Sequence, residues 1–464
     1  MTRAINIGNV LVFVAVVGAI VDFNPLGGDV QAQATPLMVP TVQAPITLAR
    51  SIGFGSGVNK KTGGNICTAN SRGECRSGAL SSEAGGFMYP NSVAADLSTG
   101  NLYVADSGNS RIQELTASGA FLAMFGRDVN ATEDRQAGAS PEERDVCTAA
   151  SRDVCKAGVS GAGAGQLSYP GSIAVAPDTG DVYVLEVSPG DFRIDKYTSG
   201  GRFSWRIGKS VNATTKGNLC TAREVERSHV TCGAGSENSS ESYEPGAFKF
   251  AQTYGDLLAV GGPEDLLYVG DEHRVQEFEA DGKWKREILL SSLSSGQSSN
   301  VAALALDAGG DLYLVYHVLA SASNGNEEQA NVIHRFNPNG EQVAEFSVTP
   351  RQAKTTVGVN GLALDASDRL AVIGNELGVG SVTRFGSLYE ASTGRHIADF
   401  TGPSDNDGIS FNSDGDLYVA ATDDQEVVGY VPAPLAELVM SPAPCEIGLP
   451  PDSAATFECA LSAS

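Results

Sequence analysis

Along most of this chain, apolar and polar residues alternate in short runs, and Gly, Asn, Asp and Ser gather between the runs. A period of two predicts strands, and that punctuation predicts tight antiparallel turns. The clearest stretch runs Ser92–Asp96, turn Ser98–Asn101, Leu102–Asp106, Arg111–Leu115, turn Ala117–Gly119 and Phe121–Phe125. Four such strands form one meander. A lone meander leaves both faces wet, so copies must stack against each other. Further copies begin at Ser172, Asp256, Ala303, Leu362 and Ile409, the later ones drifting in sequence. Stacked around an axis, they predict an all-β, six-bladed β-propeller of four-stranded antiparallel blades over residues 42–440. The segment Ile46–Phe54 matches a lone fourth strand ahead of the first full copy, so it is expected to close the last blade. Tyr103, Tyr183, Tyr268, Tyr313 and Tyr418 recur at one strand position, with Ala371 in the fifth copy, and read as packing between blades.

Strand parity sorts the connections between two faces. The turns from first to second strand and from third to fourth are tight, as in Asp178–Asp181 and Ala280–Gly282. Every long insertion falls on the other face: Ser56–Gly86, Arg127–Gln166 and Lys209–Ala247 after fourth strands, and Leu319–Asn331 within the fourth blade. The first three share a template, since Phe54-Gly, Phe125-Gly and Ile207-Gly each lead to Val-Asn and then a Cys pair. Long loops without strand pattern are functional or disordered, and cysteines inside them argue for order. Such insertions, lying outside the meander, are expected to carry few core contacts.

The string Tyr103-Val-Ala-Asp106-x-x-Asn109-x-Arg111-Ile-Gln113 resembles the signature of NHL-repeat propellers. Asp271, Arg274 and Gln276 keep it with a shortened turn, Glu186 and Arg193 flank an altered turn, and the last three copies have lost it. Residue chemistry alone makes Asp106 and Asn109 turn-formers, with Arg111 pairing Asp106 or a neighbouring blade. Propellers similar to this one include lyases with His-bound zinc, lactonases and esterases with calcium in the tunnel, and RNA binders with a basic face. The five histidines do not recur at one blade position, which argues against a three-His zinc site.

Asn91, Gly171, Asp256, Ala302, Asn360 and Asp407 fall at one equivalent position, where each innermost strand begins. Asn91, Asp256, Asn360 and Asp407 bear oxygens and would ring the tunnel mouth, a set suited to Ca²⁺ as the one cofactor to be considered. Ordinary turn chemistry explains Asn and Asp there as well, and no Glu joins the ring. No catalytic set stands out elsewhere.

Charge narrows the partners. With 55 acidic residues against 31 basic ones, the net charge is −24, which opposes binding to nucleic acid or anionic membranes. Arg3 and the apolar run Val10–Val21, with Ala32-Gln-Ala34 beyond, read as a signal peptide over residues 1–34 or as an uncleaved N-terminal anchor. Eight cysteines fall into local pairs: Cys67/Cys75, Cys147/Cys155, Cys220/Cys232 and Cys445/Cys459. With an export signal, they predict disulfides in a secreted or cell-surface protein; zinc would need knuckles that are missing. Asn130, Asn212 and Asn238 head glycosylation patterns, the first two at one repeated position that shared ancestry also explains. Residues 441–464 read as a Pro-rich linker and the start of a β-sandwich, or as a terminal strand packed on the propeller. The functional expectation is a non-enzymatic binding scaffold whose loop-rich face takes a protein, peptide or glycan. The alternative is a Ca²⁺-assisted hydrolase or lyase in the tunnel.

Overall fold

The computed structural model describes residues 3–7, 10–14, 48–68, 74–188, 191–236, 244–250, 255–272, 274–290, 298–319, 332–348, 356–378, 381–400, 402 and 408–432. Asp407, Asn238, Cys445, Cys459 and the 441–464 segment lie outside them. Two units are distinct, residues 1–43 and 44–464. In the first, Arg3–Ile7 pairs antiparallel with Val10–Val14.

Among its described residues, the second unit contains six antiparallel sheets. Blade 1 opens with Pro90–Ala95, Leu102–Asp106, Arg111–Leu115 and Phe121–Phe125, and blade 2 with Pro170–Val175, Val182–Glu186, Arg193–Tyr197 and Phe203–Gly208. Blades 3, 4 and 5 start at Leu258, Ser298 and Thr356 and have four strands each. Blade 6 runs Ile409–Phe411, Leu417–Ala421 and Glu426–Pro432, then takes Leu48–Phe54 as its fourth strand, in the register Val427↔Phe54 to Pro432↔Leu48. Successive innermost strands touch in order, and the sixth returns to the first. The ring is closed as the sequence predicts.

The recurring tyrosines are buried at 0–3% exposure, and Ala371 is buried with them. They lie in apolar clusters that mix residues of adjacent blades; Tyr418 of blade 6, for example, joins Val93 and Leu102 of blade 1. This is where the core sits: between sheets, one layer per interface. The 3–4 turn of each early blade leans on the preceding blade's fourth strand. A Cβ on Gly119 would strike Phe54, and one on Gly201 would strike Phe125. Both glycines have positive φ, so no other residue meets both demands cheaply.

Three blades have a strand the period-two pattern does not show. Ile66–Thr68, Val146–Thr148 and Leu219–Thr221 pair antiparallel with the fourth strands of blades 6, 1 and 2. Each has a buried Cys at its centre, bonded within its own loop as Cys67–Cys75, Cys147–Cys155 and Cys220–Cys232. The insertions are therefore built modules that cover three outer edges.

Replacing Phe54, 1% exposed and stacked on Tyr418, with Ala should cost about 3–5 kcal/mol by the usual cost of large core truncations. Deleting Leu48–Phe54 should leave the Glu426–Pro432 edge bare and drive association. Urea unfolding checks the first outcome and size-exclusion chromatography the second. A monodisperse, equally stable deletion variant would contradict the closure.

Candidate functional site: the loop face and the tunnel axis

The NHL-like signature residues form a buried clamp. Asp106 accepts hydrogen bonds from Arg111 Nε (2.8 Å), Gln113 Nε2 (2.9 Å), Asn109 Nδ2 (2.9 Å) and the Met88 backbone N–H (2.7 Å). The rest of the Arg111 guanidinium donates to the carbonyls of Ser82, Glu83 and Gly86, the end of the loop arriving from blade 6. Blade 3 repeats the arrangement. Arg274 and Gln276 bond Asp271 and the Ala247 carbonyl, while Lys249 N–H donates to Asp271. Burial pushes the Asp271 carboxyl up to about 6 against the pull of Arg274. In blade 2, Glu186 takes the place of the aspartate and accepts from the Ser168 and Tyr169 N–H groups. Arg193 and Arg206 share Asp195 there and donate to carbonyls between Gly161 and Gln166. Burial raises both Glu186 and Asp106. All these groups serve the fold; Arg111 does pair with Asp106.

The expectation of few core contacts in the insertions is thereby corrected. Each module is held at both ends, because a buried arginine must satisfy all its donors, and beyond the carboxylates of its own blade it takes carbonyls of the incoming loop. At its other end the module hooks its own blade. The carbonyls of Gln425, Ser110 and Phe192, in the 2–3 turns of blades 6, 1 and 2, each sit between two template glycines. A Cβ on Gly55 or Gly78, on Gly126 or Gly158, or on Gly208 or Gly235 would run into them. The template asparagines are buried as well. Asn59 and Asn130 each accept from two following N–H groups, and Asn130 Nδ2 donates to Asp153 and Val146 O. Asn212 is 1% exposed. These amides are occupied by Asx turns, so shared structure rather than glycosylation explains the repeat.

Between the blade 1 and blade 2 modules lies a cavity of about 200 Å³ lined by Asp145, Glu142, Arg127, Arg202, Tyr197 and Val225 among others. Burial lifts the Asp145 carboxyl from 3.8 to about 6, although Asp128 N–H and Arg127 act against the shift. On the outer surface of the modules, Leu80, Val154 and Val159 are exposed. Tyr89, which follows the blade 6 module, is 40% exposed with φ +53°, its N–H donating to Gln425 Oε1. A bulky residue in left-handed geometry is uncommon and marks a position held by its surroundings.

At the axis, the sequence-aligned rim residues separate by role. Asn91, Gly171, Ala302 and Asn360 are each skipped by the strand register, so each is a β-bulge. Both polar side-chain atoms of Asn91 are buried without a hydrogen-bond partner. Asp256 lies at the centre. Its Oδ1 accepts from Ser92 Oγ (3.1 Å) in blade 1 and its Oδ2 from Ile409 N–H (2.9 Å) in blade 6. Its carbonyl takes the Leu304 N–H of blade 4, and Leu257 N–H donates to Ser172 Oγ of blade 2. Gly255 abuts the carbonyls of Ala302 and Asn360. One tripeptide therefore touches all five other blades. Among the described residues, no three His, Cys, Asp or Glu side chains gather to hold a metal. The described part of the rim brings the Asp256 carboxylate, which accepts from Ser92 and Ile409, and the amides of Asn91 and Asn360.

Residues 87–115 match the NHL repeat family. This chain is a six-bladed β-propeller that carries an NHL repeat in blade 1. Among solved structures it is similar to virginiamycin B lyase from Staphylococcus aureus, at 11% identity over 76% of this chain and 97% of that one, TM-score 0.39. It is also similar to a gluconolactonase from Xanthomonas campestris, at 12% identity over 75% and 86%, TM-score 0.39. A Bacteroides thetaiotaomicron protein of unknown function gives 12% identity over 76% and 73%, TM-score 0.42. No curated protein sequence matches the chain.

Two outcomes follow. Arg111→Ala should cost about 3–5 kcal/mol in urea unfolding, because it strands Asp106 and three carbonyls in the interior. Asp145 binds its proton more tightly folded than unfolded, so its contribution to stability is present below 3.8 and is lost as pH rises to about 6. Asp145→Asn should flatten that decline in urea midpoints measured from pH 4 to 7, and the carboxyl should titrate near 6 by NMR.

Proposed function

We propose that this propeller is a non-enzymatic binding scaffold whose module-bearing face takes a protein, peptide or glycan. One observation carries the reading: three long insertions on consecutive blades 6, 1 and 2 are each fixed by a disulfide, a glycine hook and a buried arginine clamp. Ordering long loops costs conformational entropy, and a preorganised surface lowers the later cost of binding. Exposed Leu80, Tyr89, Val154 and Val159 lie along the first two of these modules and their link to the axis. Aromatic groups such as Tyr89 are enriched among interface anchors, and the aliphatic groups beside it add apolar area to the patch. The three disulfides, together with the apolar N-terminal run, support an exported protein at the cell surface or outside the cell. Among the described residues, no helix is long and apolar enough to cross a membrane.

The test uses peptide and glycan arrays, with calorimetry on any hit. Tyr89→Ala with Val154→Ser should weaken binding at least tenfold, or about 1.4 kcal/mol, while Leu97→Ser on the opposite face should not. The Ca²⁺-assisted hydrolase or lyase reading is separated by titrating calcium calorimetrically. Heat that disappears in Asp256→Ala would favour it over the scaffold.

A further inference from the structure

The three modules share a template but differ chemically at one position in it. Asn65, Asp145 and Asn218 each stand just before the apolar-Cys-Thr strand. Each accepts the N–H of the template glycine on its backbone carbonyl, from Gly55, Gly126 and Gly208 respectively. Each also accepts a second N–H on its side-chain Oδ1, from Gly57 (3.2 Å), Asp128 (2.9 Å) and Ser210 (2.9 Å). An amide oxygen serves that role as well as a carboxylate does. The other side-chain atom is where they part. In the blade 2 module, Asn218 Nδ2 donates to the Pro245 carbonyl (2.9 Å), which precedes Gly246. The corresponding residues in the blade 1 module are Asp145 and Ala164, which precedes Gly165; the two glycines have φ +74° and +73°. A Cβ on Gly165 would lie 3.6 Å from Asp145 Oδ2. This position therefore has an acceptor where its counterpart has a donor, and among the described residues nothing donates to Asp145 Oδ2. Asp145 and Ala164 both line the cavity between the two modules.

We propose that this cavity is a binding site for the guanidinium of an arginine side chain in a peptide partner, bridging Asp145 Oδ2 and the Ala164 carbonyl. The inference rests on the module face being a binding surface, and it names what that surface takes. A guanidinium is a planar fork of donors with no acceptor, which suits a carboxylate beside a carbonyl. The protein uses the same pairing in its interior, where Arg111 joins Asp106 to Gly86 O and Arg274 joins Asp271 to Ala247 O. Val146, Phe203, Ala222 and Val225 supply apolar wall for the aliphatic stem. At about 200 Å³ the cavity is smaller than the usual small-molecule pocket and suits one side chain. Its charged lining is Asp145, Glu142, Glu226, Arg127 and Arg202. Both arginines have carboxylate partners already: Arg127 Nε donates to Asp128 and Arg202 to Glu142. Glu226 then adds a second carboxylate, and the net charge of −24 favours a cation over an anion.

The experiment titrates the intact chain with N-acetyl-arginine methylamide and with its citrulline and lysine analogues, reading binding by saturation-transfer NMR. Saturable binding of the arginine probe is expected, about tenfold tighter than citrulline, its neutral isostere, since hydrogen bonds to a charged partner contribute at least that factor. Lysine, a point charge that cannot span two oxygens as a fork does, should bind about threefold more weakly than arginine. Asp145→Asn installs the amide that the other two modules carry, so the module should fold and arginine binding should fall about tenfold. Glu226→Lys brings a cation to the exposed rim and should weaken the probe about threefold. The groups acting on Asp145 are Asp128, Arg127 and Arg144 from its own module, with Glu142, Arg202 and Glu226 lining the same cavity. A cation binds the ionised carboxyl, so affinity should drop about tenfold from pH 7 to pH 5 as Asp145, lifted to about 6, takes up its proton. Equal binding of citrulline or lysine, undiminished binding in either variant, or no saturable signal would each overturn the proposal. If Asp145→Asn fails to fold, the citrulline comparison and Glu226→Lys still decide it. Array partners that lack arginine and are indifferent to Asp145→Asn would overturn this inference alone and leave the scaffold reading standing.

Discussion

A guanidinium removed from water is tolerated only where its N–H groups find oxygens, and that requirement organises this molecule. Arg111, Arg193, Arg206 and Arg274 are completely buried. In each case the guanidinium meets a carboxylate of its own blade and also carbonyls of the loop arriving from the blade before, and Arg206 reaches Gly233 O of the departing module as well. Each insertion hooks the 2–3 turn of the blade it leaves and is clamped by the arginine of the blade it enters. It therefore staples two blades: 6 to 1, 1 to 2 and 2 to 3. The 6-to-1 staple lies at the point where the chain closes on itself, next to the strand Leu48–Phe54. The same loops that form the candidate surface thus also secure the ring.

The axis imposes a second constraint. Six strands meeting at a centre leave a gap that must be filled by solvent or by chain. Among the described residues, the chain crosses it at Gly255–Leu257. Glycine is required because any Cβ would collide with the Ala302 carbonyl, and the carboxylate of Asp256 then reaches both Ser92 and Ile409.

Much of the fold was legible because propeller blades obey a period of two and repeat. The tyrosine position, the closing strand and the three local cysteine pairs all follow from spacing alone. The fifth strands did not, since Ile66-Cys-Thr68, Val146-Cys-Thr148 and Leu219-Cys-Thr221 are too short to show alternation. Their signal was the repeated apolar-Cys-Thr triplet. The aligned position of Asp256 was visible, but its reach across the axis depends on a glycine before it and on backbone donors from other blades. Side-chain bonding across a ring is not encoded in local pattern. The cavity between the blade 1 and blade 2 modules was likewise invisible, being made by segments distant in sequence, from Gly126 to Glu226.

The uneven survival of the NHL-like signature now has a physical reason. Blades 1, 2 and 3 receive long links from their predecessors, and those are the blades that keep the buried acid and arginine. Blades 4, 5 and 6 receive short links, and a buried guanidinium without a long incoming loop to bond would cost more than it returned. In this chain the signature reports link length. The same division appears at the rim. Blades 6, 1 and 2 cover their outer edges with a fifth strand, whereas among the described residues those of blades 3, 4 and 5 end at Trp284–Leu289, Gln342–Ser347 and Arg395–Phe400. These uncovered strands carry Lys285, Arg286, Glu287, Glu345, Arg395 and Asp399. Charged side chains on a bare edge oppose strand pairing between molecules, so covered and charged edges are two answers to one hazard.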